Sequence, residues 1–215
     1  MKVWCTVFFV MLMSFPGATA QETRLGVKAG PNYSSIVGDL TEGLKFRFSG
    51  HAGIFLEVDY SDNFKLRPEL LYSSQGFQFS TDLAAIQGGS ATGNDEDFRT
   101  NVQLNFITVP IIAQFALNDR VSVEFGPQFG FLLNQVTKVK NLDQANDQGN
   151  RRTSLSGDFQ LDYGAAVGLG IALTDQLSLS PRFYIGLRNR LNGLPGNAQN
   201  YNAALQLSLN YHFRR

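Results

Sequence analysis

Cysteine is almost absent from this 215-residue chain, and the only one, Cys5, lies in an apolar stretch at the N-terminus. A single cysteine excludes a disulfide-stabilised scaffold, and no thiol is present beyond that stretch to act as a nucleophile. An excess of one charge is lacking as well, because 18 Lys and Arg residues balance 18 Asp and Glu residues. The chain therefore has no basic field that would predict binding to nucleic acid.

Long apolar runs are missing after the N-terminal stretch. A transmembrane helix needs about 20 consecutive apolar residues, and the remainder of the sequence contains no such run. A membrane protein with this sequence must therefore cross the bilayer with strands, in which apolar residues alternate with small or polar ones.

Motifs for catalysis and cofactor binding are also lacking: the sequence has no G-x-S-x-G, H-E-x-x-H or Walker pattern. We interpret the two histidines, His51 and His212, as members of a polar interior rather than as a ligand pair or an acid–base pair. The acidic run at residues 94–97 is interpreted as a solvated loop rather than a calcium site. We assign no catalytic, cofactor-binding or metal-binding residue, and we expect neither enzymatic activity nor a cofactor.

The N-terminus has the pattern of a secretory signal. Lys2 precedes an apolar run, Pro16 and Gly17 end it, and the tripeptide before Gln21 is an A-x-A cleavage site. We expect a signal peptide over residues 1–20, cleaved near Ala20, followed by one domain over residues 21–215.

Strand alternation of unusual length is the main positive feature of the sequence. Residues 159–173, FQLDYGAAVGLGIAL, alternate without a break between large apolar residues and small or polar ones. Strands of soluble sheets are mostly about 5 to 6 residues long, whereas a membrane-spanning strand takes about 9 to 11 residues with its apolar side chains outward. This length favours a strand that spans a bilayer.

Seven further segments alternate in the same way, and together they predict an all-β fold, an eight-stranded antiparallel up-and-down transmembrane β-barrel. Short turns around Asp62, Asp119 and Asp175 lie at one end, and four longer connections, residues 33–45, 80–100, 134–158 and 189–200, lie at the other. An open sheet edge is unfavourable in lipid, so the last strand should pair with the first. The predicted strands are residues 24–32, 46–59, 64–79, 101–117, 121–133, 159–173, 177–188 and 201–213.

The predicted inner face carries both charges in nearly equal number. Side chains fill a barrel of eight strands, so we expect a salt-bridged plug rather than a pore. The charged residues expected inside are Lys28, Arg47, Glu57, Asp59, Lys65, Arg67, Glu69, Glu124, Asp162, Arg182 and Arg188.

The fourth predicted strand contains an irregularity. Its apolar alternation changes phase near Phe106. One additional residue in a strand produces such a shift, which predicts a β-bulge at this position.

Five segments, in this order, resemble one protein family: LGVKAGPNYS, LRPELLYSSQGF, NFITVPIIAQF, VEFGPQFGFLL and LSLNYHF. Over residues 25–213 the chain is similar to the outer-membrane β-barrel domain proteins of Bacteroidetes-type bacteria, often called the PorT family. The resemblance implies an eight-stranded barrel located in the outer membrane, and it brings no catalytic residues with it. One namesake of the family is associated with gliding motility and protein secretion.

We therefore expect an integral outer-membrane protein that is not an enzyme and that presents long extracellular loops for binding or for association with a secretion or envelope complex. The expected partners are outer-membrane lipid, the barrel-insertion machinery and envelope or secretion proteins that contact the loops, without nucleic acid. Two alternatives stay open. One is a soluble secreted barrel of the lipocalin type with a small apolar ligand inside, and the other is a small-barrel enzyme that modifies lipid.

Overall fold

Strands form at all eight predicted positions in the computed structural model, which describes residues 22–39, 41, 43–81, 98–141, 151–155, 161–190 and 199–213. The predicted signal peptide and its cleavage site lie outside these residues. In the described ranges no helix is long and apolar enough to cross a membrane. The strands are β1 (Thr23–Gly38), β2 (Leu44–Ser61), β3 (Phe64–Thr81), β4 (Phe98–Ala116), β5 (Val121–Asn141), β6 (Arg151–Leu155), β7 (Leu161–Ala172), β8 (Leu177–Gly186) and β9 (Asn200–His212).

Antiparallel pairing closes these strands into an eight-stranded barrel. β6 and β7 both pair with β5, so they are two parts of one barrel strand, and the pairing of β6 is offset by two residues from that of β7. β9 pairs with β1, with Gly26 opposite His212 and Gly38 opposite Asn200. The predicted up-and-down barrel, including the closure of the last strand onto the first, is confirmed.

Most strands are longer than predicted at the end opposite the short turns, but β8 ends at Gly186, two residues before its predicted end at residue 188. β1 continues to Gly38 and β2 begins at Leu44, so the loop predicted over residues 33–45 is wrong and only residues 39–43 connect the two strands. β5 likewise continues through the start of the predicted loop at residues 134–158 and pairs with β6. Hydrogen bonding between strands does not require an apolar outer face, so pairing continues where the alternation stops.

The prediction of a β-bulge on β4 is wrong, because the extra residue near Phe106 lies on β5. Asn105 pairs with Asn134 and Phe106 pairs with Leu132, which leaves Leu133 as the additional residue. β4 pairs with β3 without any shift at this level. The extra residue is therefore in the strand that follows the predicted one.

The apparent change of phase in β4 has a different cause. Three apolar side chains in the first half of this strand point inward and form a buried cluster, and Phe77, Phe79 and Leu132 pack against it. Apolar residues thus face the interior at this end of the barrel, whereas in the second half of β4 most of them face outward, although Ile112 is buried inside. The buried members of the cluster are Val102, Leu104 and Phe106.

The outer surface is apolar, with aromatic residues near both ends of the strands. Val167 on β7 is 53% exposed although it is apolar. At the end with the short turns, Phe115 stacks on Phe125 with 5.6 Å between ring centroids, and at the opposite end Tyr33 stacks on Phe46 at 4.7 Å. An apolar band between two aromatic belts is the surface of a membrane barrel. The alternative of a lipocalin-type barrel, whose apolar faces would line the interior, is therefore wrong.

Candidate functional site

Four fully buried charged side chains cross-link the middle of the barrel. Glu69 accepts hydrogen bonds from Lys28 Nζ at 3.1 Å and from Arg182 Nη1 at 3.0 Å. Arg182 Nη2 also donates to Glu124 Oε2 at 2.8 Å. These residues come from β1, β3, β5 and β8, so the ion pairs connect strands on different sides of the barrel. Charge-assisted bonds of this kind are stronger than neutral ones.

The network continues toward the short turns through Arg67. Its Nη1 donates to Glu124 Oε1 at 3.4 Å, and its Nη2 contacts Glu57 Oε2. Glu57 is also paired with Arg24 at 3.1 Å and with Lys65 at 3.3 Å. One carboxylate of β2 is thus surrounded by three cations.

Asp59 and His212 complete this end of the network. Asp59 pairs with Arg24 at 2.9 Å and with Lys65 at 3.5 Å. His212 Nε2 lies 3.3 Å from Glu57 Oε2, and its ring meets the edge of Phe55 at 5.0 Å between centroids. The expected salt-bridged interior is therefore present.

Arg24, the first residue of its predicted strand, was not among the charges predicted inside. Arg24 is four residues before Lys28, and strand residues an even number of positions apart lie on the same face. The alternation was therefore sufficient to place Arg24 on the inner face. Eight of the eleven charged residues predicted inside belong to the connected network, namely Lys28, Glu57, Asp59, Lys65, Arg67, Glu69, Glu124 and Arg182.

The remaining three predicted charges lie toward the other end and bind neutral partners. Arg47 Nε donates to Asn101 Oδ1 at 2.9 Å, and Arg188 donates to the Leu161 carbonyl. Asp162 Oδ2 accepts hydrogen bonds from Asn202 Nδ2 at 2.6 Å and from Tyr184 Oη at 3.2 Å. These residues fix the wall of the barrel without joining the central ion pairs.

His51 lies in a buried chain that resembles a nucleophile, a base and an orienting group. Its Nε2 is 2.8 Å from Ser208 Oγ and its Nδ1 is 2.7 Å from Asn32 Oδ1. Ser208 and Asn32 are completely buried, at 0% exposure, so a lipid ester at the outer surface cannot reach the hydroxyl. This arrangement supports the interpretation of His51 as part of a polar interior.

Among the described residues, one cavity lies at each end of the barrel, on either side of the charged network. The larger, which we call the turn-end vestibule, has a volume of about 570 Å³ and is lined by Arg24, Lys65, Arg67, Ser122, Gly170 and His212, among others. The smaller, about 160 Å³, lies between the apolar cluster and Asp162. Between them the side chains of the network fill the barrel.

Metal binding has no candidate among the described residues, because they contain no group of three His, Cys, Asp or Glu side chains close enough to hold an ion. The acidic run at residues 94–97 lies outside the described residues.

Ion conduction should be absent because the network crosses the whole lumen. We expect the purified barrel in a planar lipid bilayer to show no steady conductance above the leak of the bare membrane, since Lys28, Glu69 and Arg182 leave no continuous water path. Single-channel recording at high salt checks this. Discrete conductance steps in most insertions would contradict a filled interior.

Comparison with known proteins agrees with this architecture. A family model described as outer membrane protein beta-barrel domain matches residues 19–192. The fold is similar to that of Neisserial surface protein A, with a TM-score of 0.52 and 14% identity, over 88% of this chain and 97% of that one. The search of curated protein sequences gives no match.

Two further solved structures are similar at a lower level. Ail of Yersinia pestis gives a TM-score of 0.48 and 11% identity over 89% of this chain and 99% of that chain. A major outer membrane protein from Thermus thermophilus gives a TM-score of 0.48 and 14% identity, with the same coverage.

Proposed function

Because this chain belongs to the outer membrane protein beta-barrel domain family, we propose that it is a non-enzymatic outer-membrane anchor that holds a binding surface outside the cell. The observation that carries the proposal is the contrast between the filled lumen and the strands that extend beyond the bilayer on one side. A filled lumen removes transport as the main role, and the extended strands supply a surface for a partner.

The extended surface is formed by β3, β4, β5 and β6. β4 has 19 residues and β5 has 21, whereas about 9 to 11 residues span the membrane. All strands begin at a similar level at the short turns, where Phe64 pairs with Phe115 and Val121 with Ile171. The excess of β5 therefore extends on the opposite side by about 10 residues, or about 30 Å of strand. This projecting sheet faces the cell exterior if the short turns face the periplasm, as they do in outer-membrane barrels.

Lipid modification is not favoured by any group that the described residues place on the outer wall. The serine, histidine and asparagine that could act together, Ser208, His51 and Asn32, are buried in the interior. We also propose, on the sequence patterns alone, that residues 1–20 are a signal peptide and that the protein is a PorT-family member from a Bacteroidetes-type organism, with insertion machinery and envelope or secretion proteins as its partners.

Site-specific photocrosslinking in the native outer membrane tests the proposal. A photoreactive residue in place of Lys138, which is exposed on the projecting part of β5, should give a protein adduct of defined mass. The matched control replaces Leu169, which lies on the lipid face of β7, and should give lipid adducts only. Protein adducts from position 169 and none from position 138 would contradict an extracellular binding surface.

Removing the top of the β5–β6 hairpin should separate binding from folding. Val136 pairs with Ser154, so residues 137–153 can be replaced by an Asn-Gly turn, which suits a two-residue hairpin connection. The barrel below has its own hydrogen bonds, and we expect the replacement to change the free energy of unfolding by less than about 1 kcal/mol. Gel mobility without and with heating reports the folded barrel, and photocrosslinking from a retained extracellular position reports the partner. Loss of the folded band would show that the hairpin is structural instead.

A further inference from the structure

The turn-end vestibule has one charged wall and one neutral wall. Arg24, Lys65, Arg67 and Glu57 lie on the side formed by β1–β3, whereas the strands β4, β5, β7 and β8 contribute mostly small residues. The short turns beside these strands add Asp119, Arg120 and Asp175 at the rim. The neutral wall is formed by Ala116, Ser122, Gly170, Ala172 and Ser178. These small side chains leave the space open, and the longer Gln114 of β4 lines it as well and donates to Glu124 Oε1 at 2.6 Å.

The connected network has one more cation than it has carboxylates. Its five cations are Arg24, Lys28, Lys65, Arg67 and Arg182, and its four carboxylates are Glu57, Asp59, Glu69 and Glu124. In the membrane interior an unbalanced charge is costly.

The vestibule is the end of the network where this excess charge meets solvent. The side chains of Arg24 and Lys65 are 34% and 31% exposed, whereas Lys28 at the far end of the network is fully buried. With the turn residues included, the described lining has four cations, Arg24, Lys65, Arg67 and Arg120, and three carboxylates, Glu57, Asp119 and Asp175. An anion that balances this excess can reach it through the vestibule.

Hydrogen-bond donors for such an anion are present in the same wall. The side chain of Arg67 is only 4% exposed, and its Nε has no hydrogen-bond partner among the described residues. Arg24 Nε is unpartnered as well within the same part of the chain. A buried donor without an acceptor is unfavourable, and a carboxylate oxygen is an acceptor that suits a guanidinium group.

We propose that the turn-end vestibule is a binding site for a carboxylate-bearing ligand that enters from the periplasm. A volume of about 570 Å³ exceeds that of a lone ion, since one water occupies about 30 Å³. The ligand is therefore a larger molecule, either a free small polycarboxylate or the C-terminal end of a peptide. This site is independent of the extracellular surface, and each proposal can fail without the other.

Titration of the folded barrel in detergent micelles tests the site with three probes. The first is citrate, and the others are tetra-alanine with a free C-terminal carboxylate and with a C-terminal amide. The observable is the ¹H–¹⁵N signal of the arginine Nε–H groups, which should shift and saturate for Arg67 and Arg24. Shifts with citrate alone indicate a free polycarboxylate, and shifts with the free peptide but not with the amide indicate a peptide terminus.

A matched pair of charge variants locates the binding. Lys65→Gln removes a cation of the vestibule wall and should weaken binding by about tenfold or more, because charge-assisted bonds contribute strongly. Lys138→Gln removes the same charge from the end of β5 that lies farthest from the vestibule. The affinity should then change by less than about twofold, because charges separated by more than about 10 Å are screened.

Filling the cavity from its neutral wall provides a second test without any change of charge. Ser122→Phe, or Ala172→Phe if the first variant does not fold, should abolish binding while the heat-dependent gel shift stays normal. The proposal is overturned if no probe gives saturable shifts, if the amide binds as well as the acid, if both lysine variants weaken binding equally, or if both filled variants still bind.

Discussion

Arg182→Met should be among the most destabilising single substitutions in this protein. It retains a long side chain but leaves Glu69 and Glu124 with one charged partner less each, in a place without access to water. Removing one partner of a buried ion pair typically lowers the free energy of unfolding by about 3–5 kcal/mol. The loss is measured from the fraction of unheated protein that migrates as the folded band at increasing urea concentration in lipid vesicles.

Two variants show whether charge or packing causes the loss. Arg188→Met removes an arginine just beyond the end of β8 whose hydrogen-bond partner among the described residues is the Leu161 carbonyl, and it should lower stability by less than about 1 kcal/mol. In the double variant Arg182→Met with Glu124→Gln, the carboxylate of Glu124 is replaced by a neutral amide and Glu69 keeps its contact with Lys28, so most of the stability should return. A double variant as unstable as the single one would show that the volume of Arg182 matters more than its charge.

Val167→Arg, on the outer face of the barrel, should lower the free energy of unfolding by a comparable amount. Val167 faces outward near the middle of β7, and an arginine on the lipid face near the bilayer midplane costs about 2–4 kcal/mol. The same urea measurement in lipid vesicles gives the loss.

The control for depth is Leu173→Arg, just after the end of β7. Leu173 is exposed too, but it lies beside a short turn, where the same change costs about 0–1 kcal/mol. Equal losses at the two positions would mean that the outer surface of β7 does not span the bilayer as its apolar pattern indicates.

The membrane-spanning part of the barrel could be predicted from the sequence because lipid imposes a strict pattern there. Every second residue of β7 must be apolar to face the acyl chains. By the same alternation on β1 and β3, Lys28 and Glu69 must face inward. The requirement that every second side chain face lipid is thus enough to assign each residue to the outer or the inner face. The same alternation assigned eight residues of the charged network before any geometry was known.

Outside the bilayer this constraint ends, and the prediction fails for the same physical reason. Ser34 and Ser35 are both buried at the far end of β1, so the alternation of polarity that predicts strands is lost although hydrogen bonding continues. The reverse error affects Val102, Leu104 and Phe106. Their apolar alternation suggests a lipid-facing surface, but they pack against one another in the interior.

Contacts between residues that are far apart in the chain could not be predicted from the sequence either. His51 meets Ser208 across 157 positions of the chain, a separation to which no local pattern is sensitive. The turn-end vestibule is equally hidden, because it results from small residues on one set of strands lying opposite long charged residues on another.

The central ion pairs also determine the order of events during assembly. Arg182 and Glu69 are 113 residues apart, and Lys28 and Glu69 are 41 residues apart, so no single hairpin contains a balanced set of these charges. A hairpin that entered lipid alone would carry uncompensated charges into the hydrocarbon region, at a high free-energy cost. Early and late segments must therefore meet before or during insertion. Contacts of such high sequence separation make folding slow, so we expect this barrel to insert in a concerted step after β8 has been synthesised.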